Sequence, residues 1–149
     1  MPHVREVPLP AESALQDRMR AGDFIDCYAV ASALPLEEAA RRATAFPGWA
    51  KGLLALRNAI VAPLGLRTRL AGDGDRIGPF PVTSRSDTEL ILGLDDRHLD
   101  FRISLLRTGP DLHMATWVHT HNAFGRTYLR IVMPFHRAIC RQATARMAG

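Results

Sequence analysis

Cysteine is scarce in this 149-residue chain: Cys27 and Cys140 are the only two, too few for a disulfide framework and without the paired spacing of a zinc site. A reduced, intracellular protein is the expectation. Lysine is nearly absent, since all but one of the 19 basic residues are arginine. No apolar run approaches the ~18 residues that span a bilayer, and the N-terminal Met-Pro-His-Val-Arg-Glu-Val has no apolar stretch behind a basic one. Neither a membrane span nor an export signal is expected, and a cytoplasmic location follows. Acid is missing altogether from His121 to Gly149, where five arginines stand, whereas residues 1–40 carry more acids than bases. The net charge of +4 is therefore a feature of the C-terminal part, and by itself says little about partners.

What is present is apolar mass. At 47% hydrophobic residues the chain has enough to build a core without staples, as one domain over residues 1–149 with an irregular arm at 1–20. Ala21 to Ala31 is dense in strand formers, and Pro35 with Glu37 and Glu38 predicts a helix to about Ala45. Trp49, Leu53, Leu56 and Ile60 form one stripe of a second helix that stops before Pro63. From Gly65 the pattern turns to short runs cut by Gly, Pro and Asp. Leu99, Phe101, Ile103 and Leu105 alternate with His98, Asp100, Arg102 and Ser104, a strand with one wet face. Leu90–Leu94 precedes it, Leu112–His121 follows it, and Val82–Arg85 adds another strand. Beyond Phe124 the helical period returns. Phe124, Tyr128, Ile131, Phe135 and Ile139 share one predicted core face, with Arg126, Arg130, Arg137 and Arg141 opposite and Pro134 expected to kink or split the helix. The predicted class is α+β: a curved antiparallel sheet of about five to six strands, two short helices after the first strand, and a long C-terminal helix on the sheet.

Few groups carry chemistry. His119 and His121 share a strand face at a spacing compatible with metal ligation, but without a cysteine or fixed carboxylate nearby no metal is expected. Asp95, Asp96, His98 and Asp100 are either an acid–base group with His98 as base or the polar residues of a hairpin. Asn122, Gly125 and Arg126 read as a helix-entry junction, Asn122 capping and Gly125 allowing close packing, or as an anion site. No phosphate loop, dinucleotide fingerprint or nucleophile elbow is present, and no cofactor is expected.

The run Leu92 to His98, continued by Leu99-Asp100-Phe101-Arg102, then His121-Asn122, Gly125-Arg126, Tyr128-Leu129 and Pro134-Phe135-His136-Arg137, resembles the bacterial domain-of-unknown-function family 2867. So does Trp49 to Leu66, with Leu56-Arg57-Asn58 and Pro63-Leu64-Gly65-Leu66. That resemblance implies no activity. The order of elements is similar to the helix-grip fold of the START and polyketide-cyclase superfamily, which implies an apolar ligand cavity between sheet and C-terminal helix.

On that reading Tyr28, Trp49, Phe101, Trp117, Tyr128 and Phe135 line a pocket with Arg57 and His119 as polar groups, or else they fill the core. The leading function is binding of a small, largely apolar ligand. A second is a cyclase, dehydratase or hydrolase using Tyr28, Arg57, His98 and His119. A third is a nucleic-acid or protein-interaction module on the Arg126/Arg130/Arg137/Arg141 face, although few aromatics interleave with those arginines, which disfavours nucleic acid. A homodimer stays open.

Overall fold

The computed structural model describes residues 3–45, 75–77, 80–95 and 98–148. The expected helix from Trp49 to Ile60, and with it Trp49 and Arg57, lies outside the described residues. In chain order the elements are β1 (Arg5–Glu6), a 3-10 turn (Ala14–Asp17), β2 (Phe24–Ala31), α1 (Leu36–Ala43), β3 (Arg76–Ile77), β4 (Phe80–Arg85), β5 (Glu89–Asp95), β6 (Leu99–Thr108), β7 (Asp111–Thr120) and α2 (Ala123–Arg146). The strands form one curved antiparallel sheet in the order β1-β2-β7-β6-β5-β4-β3. The count of seven exceeds the expected five to six because β1 and β3 are two-residue end strands with no periodicity to read.

Strand chemistry sets the two faces. β6 and β7 pair over their full length from Leu99↔Thr120 to Thr108↔Asp111, closed by a two-residue turn in which Gly109 takes the positive φ (+59°) that tight hairpins demand. Because side chains alternate, Tyr28, Leu92, Leu105, Leu112 and Met114 fall on one face with α1 and α2. Cys27, Ile91, Ala115 and Trp117 fall on the other, where residues 7–20 cross the sheet and Leu15 is fully buried. Burying that leucine contributes about 2 kcal/mol to holding the arm. The arm is irregular in backbone, as its prolines and charges suggest, yet it is part of the core.

Glu37 and Glu38 pair with Arg41 and Arg42 along the outer side of α1 while Ala39, Ala40 and Ala43 face the core. Arg146 donates to the last carbonyls of α1, those of Arg42 and Ala43, tying the two helices together.

α2 departs from expectation in the face it buries. Of the two outcomes expected at Pro134, the split does not occur: the helix is continuous, and Pro134 lies on its exposed side, where water can meet the carbonyl its missing N–H leaves free. Its buried residues are Gly125, Cys140, Ala143 and Thr144, with His136 half-buried among them, a face turned about one residue, or about 100°, from the stripe of large apolar groups. Ile131 and Phe135 are correspondingly 65% and 47% exposed. The reason is distance: a Cβ on Gly125 would stand 2.3 Å from the His98 carbonyl oxygen, so small residues face the sheet and bulky ones face out. No described helix is long and apolar enough to cross a membrane.

Candidate functional site

β7 sets Trp117 and His119 two residues apart on the arm side of the sheet, and the arm enters β2 through Asp23, beside the Phe24↔Val118 pair. Asp23 is the hub. Its Oδ1 lies 2.5 Å from His119 Nδ1, and its Oδ2 accepts from Trp117 Nε1 at 2.8 Å and from the backbone N–H of Arg20 at 3.0 Å. The carboxylate is 4% exposed. Burial alone would raise its pKa, but the donors from His119, Arg20 and Trp117 outweigh burial and hold it below the usual carboxylate value.

A buried carboxylate on Nδ1 fixes the imidazole: in neutral His119 that nitrogen carries the proton, and Nε2 keeps its lone pair. The ring stacks nearly parallel to Trp117 at 6.4 Å, and the Arg18 guanidinium lies 5.7 Å from the indole centre. Around them opens a cleft of about 330 Å³ lined by Asp17, Arg18, Asp95, Asp100, Trp117 and His119. Its rim is already networked, since Asp95 pairs with the buried Arg102 at 2.9 Å and Asp100 accepts from His121 Nε2 at 2.9 Å.

The helix side holds a second polar cluster. His136 Nε2 meets Asp26 Oδ2 at 3.2 Å, and Cys140 Sγ lies 3.4 Å from the same nitrogen. Cys140 Sγ is also 3.6 Å from His136 Nδ1, so the thiol faces both ring nitrogens while the carboxylate meets Nε2. Burial lowers the imidazole pKa, but the hydrogen bond it donates to Asp26 and its contact with Cys140 prevail and push it up to about 10. Asp26 Oδ1 and Tyr28 Oη are buried there with no hydrogen-bond partner among the described residues.

This cluster predicts a pH dependence. A base whose folded pKa exceeds its unfolded value of 6.5 stabilises the fold fully below that value and ceases to as pH rises through about 10. Urea unfolding of wild type should weaken over this interval relative to His136→Asn, with a limiting slope of about 1.4 kcal/mol per pH unit. Parallel curves for the two proteins would refute the ion pair.

Of the residues singled out in the sequence, the described ones lie in different parts of the fold, while Trp49 and Arg57 lie outside the described residues. Tyr28 and Phe101 point to the helix side, Tyr28 beneath the Arg141 guanidinium at 5.1 Å and Phe101 edge-on to Phe80 at 5.8 Å. Trp117 and His119 belong to the arm side, Tyr128 is half-buried on α2, and Phe135 faces outward. His98 joins the strand-to-helix junction, within 2.8 Å of Asn122 Nδ2, and Asn122 Oδ1 caps α2 by accepting from Gly125 N–H. His119 and His121 engage different aspartates, and among the described residues no group of three or more His, Cys, Asp or Glu is placed to hold a metal. Asp23 and Arg18 went unread in the sequence, and Arg102, expected on a wet strand face, is buried at the cleft. Asp23 lies 96 positions from His119, and nothing local to it announces the contact.

A further cleft, about 170 Å³, opens at the end of the sheet–helix interface among Phe24, Val118, Thr120, Arg126, Leu129 and Arg130.

The family model described as a protein of unknown function (DUF2867) matches residues 18–143. No curated protein and no solved structure matches the chain.

Proposed function

The chain belongs to the DUF2867 family of proteins of unknown function, and from that premise we propose that it binds a small molecule in the arm-side cleft and acts on it by acid–base chemistry, with His119 as the base. The observation that carries this reading is the hydrogen-bonded pair at the cleft wall, His119 Nδ1 on a buried Asp23 whose other oxygen is held by two further donors. Such an arrangement sets the tautomer, steadies the imidazolium that forms when Nε2 takes a proton, and keeps the ring from rotating. Trp117 offers a flat apolar wall, and the aspartates of the rim offer hydrogen-bond acceptors, which suits a small polar substrate. The two cysteines are free and on opposite faces of the sheet, in keeping with a reducing cytoplasm.

The test is long-range ¹H–¹⁵N NMR of the imidazoles together with native mass spectrometry. Wild-type His119 is expected in the Nδ1–H form, with Asp23→Asn losing that preference and about 1–3 kcal/mol of stability. Wild type is also expected to release a small polar species on denaturation, and His119→Gln to carry less of it. An Nε2–H tautomer in wild type would remove the base, and equal retention by both proteins would remove the cleft.

A second reading keeps a small, largely apolar ligand between sheet and α2, as the element order shared with helix-grip proteins suggests. The open end of that interface near Phe24 and Leu129 favours it. Its middle is occupied by Leu92, Leu105, Leu112 and Met114 against Cys140, Ala143 and Met147, so on this reading the ligand sits at the end.

A further inference from the structure

We infer that the cleft where the first turns of α2 meet the ends of β2 and β7 is a site for a small organic anion, a single carboxylate or phosphate monoester head carrying a short apolar tail. The inference rests on the sheet–helix reading and is independent of His119, which belongs to the opposite face of the sheet.

The argument begins with charge. Arg126 and Arg130 stand four residues apart on α2, neighbours on one helix surface, where like charges repel. Arg126 is also in the first helical turn, at the positive end of the helix dipole, where a cation is disfavoured, and no acid in that turn offsets it. Several other arginines meet carboxylates, among them Arg5 with Asp111, Arg42 with Glu38, Arg85 with Asp75, Arg102 with Asp95 and Arg141 with Glu6, while Arg107 and Arg146 bond backbone carbonyls. Among the described residues no carboxylate pairs with Arg126 or Arg130. Two forked donors and a helix end therefore place uncompensated positive potential over one cleft, which an anion would neutralise. Guanidinium groups recognise carboxylate and phosphate oxygens in pairs.

The walls supply the rest. Phe24, Val118 and Leu129 are apolar, while Thr120 adds a hydroxyl beside the arginines. A fully hydrophilic ion would leave those walls wet, so a short hydrocarbon tail accounts for them better than inorganic phosphate does. The volume of about 170 Å³ is roughly that of six water molecules, enough for a charged head and a few carbons.

Backbone ¹H–¹⁵N chemical-shift titration tests this with butyrate, butyl phosphate, inorganic phosphate and butylammonium as probes. Butyrate or butyl phosphate is expected to shift the amides of Gly22, Thr120 and Leu129 saturably, whichever binds tighter naming the head group. Inorganic phosphate should bind less tightly than butyl phosphate, and butylammonium not at all. Arg126→Gln with Arg130→Gln, both exposed positions, should weaken binding about tenfold or more, while His119→Gln leaves it unchanged. The inference fails if wild type shows no saturable shift, if the double variant binds equally, if butylammonium binds as well, or if inorganic phosphate matches butyl phosphate. Loss of binding in His119→Gln would place the anion at the other cleft and overturn it too.

Discussion

Gly93→Ala is expected to lower stability by about 4 kcal/mol. Two costs add at this position. Gly93 has φ +145°, a backbone state that side chains resist, and a Cβ there would stand 2.2 Å from the Phe101 carbonyl oxygen and 3.0 Å from Arg102 Cα. Both obstacles are backbone atoms of the neighbouring strand, so no rotamer change relieves the clash. Since Gly93 is registered against Arg102 and lies two residues from Asp95, the strain should reach the Asp95–Arg102 pair at the rim of the arm-side cleft. Urea unfolding measures the loss. A midpoint within error of wild type would mean that β5 approaches β6 less closely than these distances state.

How much of this was legible in the sequence depends on whether the signal was local. The alternation of β6 from Leu99 to Leu105 announced a strand, and the turn residues around it placed β5 and β7, but the polar face expected to be wet is covered by the arm, with Arg102 and Ser104 buried. Asn122 and Gly125 were readable because a cap and a close approach each need a particular side chain at a particular place. The rotation of α2 was not, because periodicity weighs side chains by hydrophobicity, whereas here proximity selected Gly125 and Ala143 over Ile131 and Phe135. His119 drew notice as half of a paired-histidine motif, and the structure sets it edge-on to His121 at 5.2 Å but gives its Nδ1 a carboxylate partner. That partner could not be found by spacing: Asp23 reaches His119 only because β2 and β7 are neighbours, although the chain between them makes β3 to β6 first. The same holds for Asp26 with His136 and for Ser13 with Glu89, long-range pairs made by the sheet order and by the arm.

Glu89 tests whether the arm and the arm-side cleft act as one unit. Its carboxylate is buried under the arm, with Oε2 accepting from Ser13 Oγ at 2.6 Å and Ser104 Oγ at 2.5 Å and Oε1 accepting from the Ala14 N–H at 2.9 Å. Glu89→Ala strands two hydroxyls and a backbone donor at once, and hydrogen bonds to a charged acceptor are the strong kind, so a loss of about 3 kcal/mol is expected. Glu89→Gln keeps one acceptor, and its amide can still donate to the serine oxygens, so it should lose only about 1 kcal/mol. The consequence for the site follows from connectivity. Ser13 and Leu15 anchor the arm, and the arm then carries Arg20, whose N–H is one of the donors holding Asp23. Loosening the arm should therefore free Asp23 and with it His119. In Glu89→Ala, amide exchange at Ala14 and Leu15 should accelerate together with loss of the His119 Nδ1–H preference, and Glu89→Gln should fall between. If exchange along the arm rises while the His119 tautomer stays as in wild type, Asp23 is held by Trp117 and β2 alone, and the arm is a cover over the cleft without a part in its chemistry.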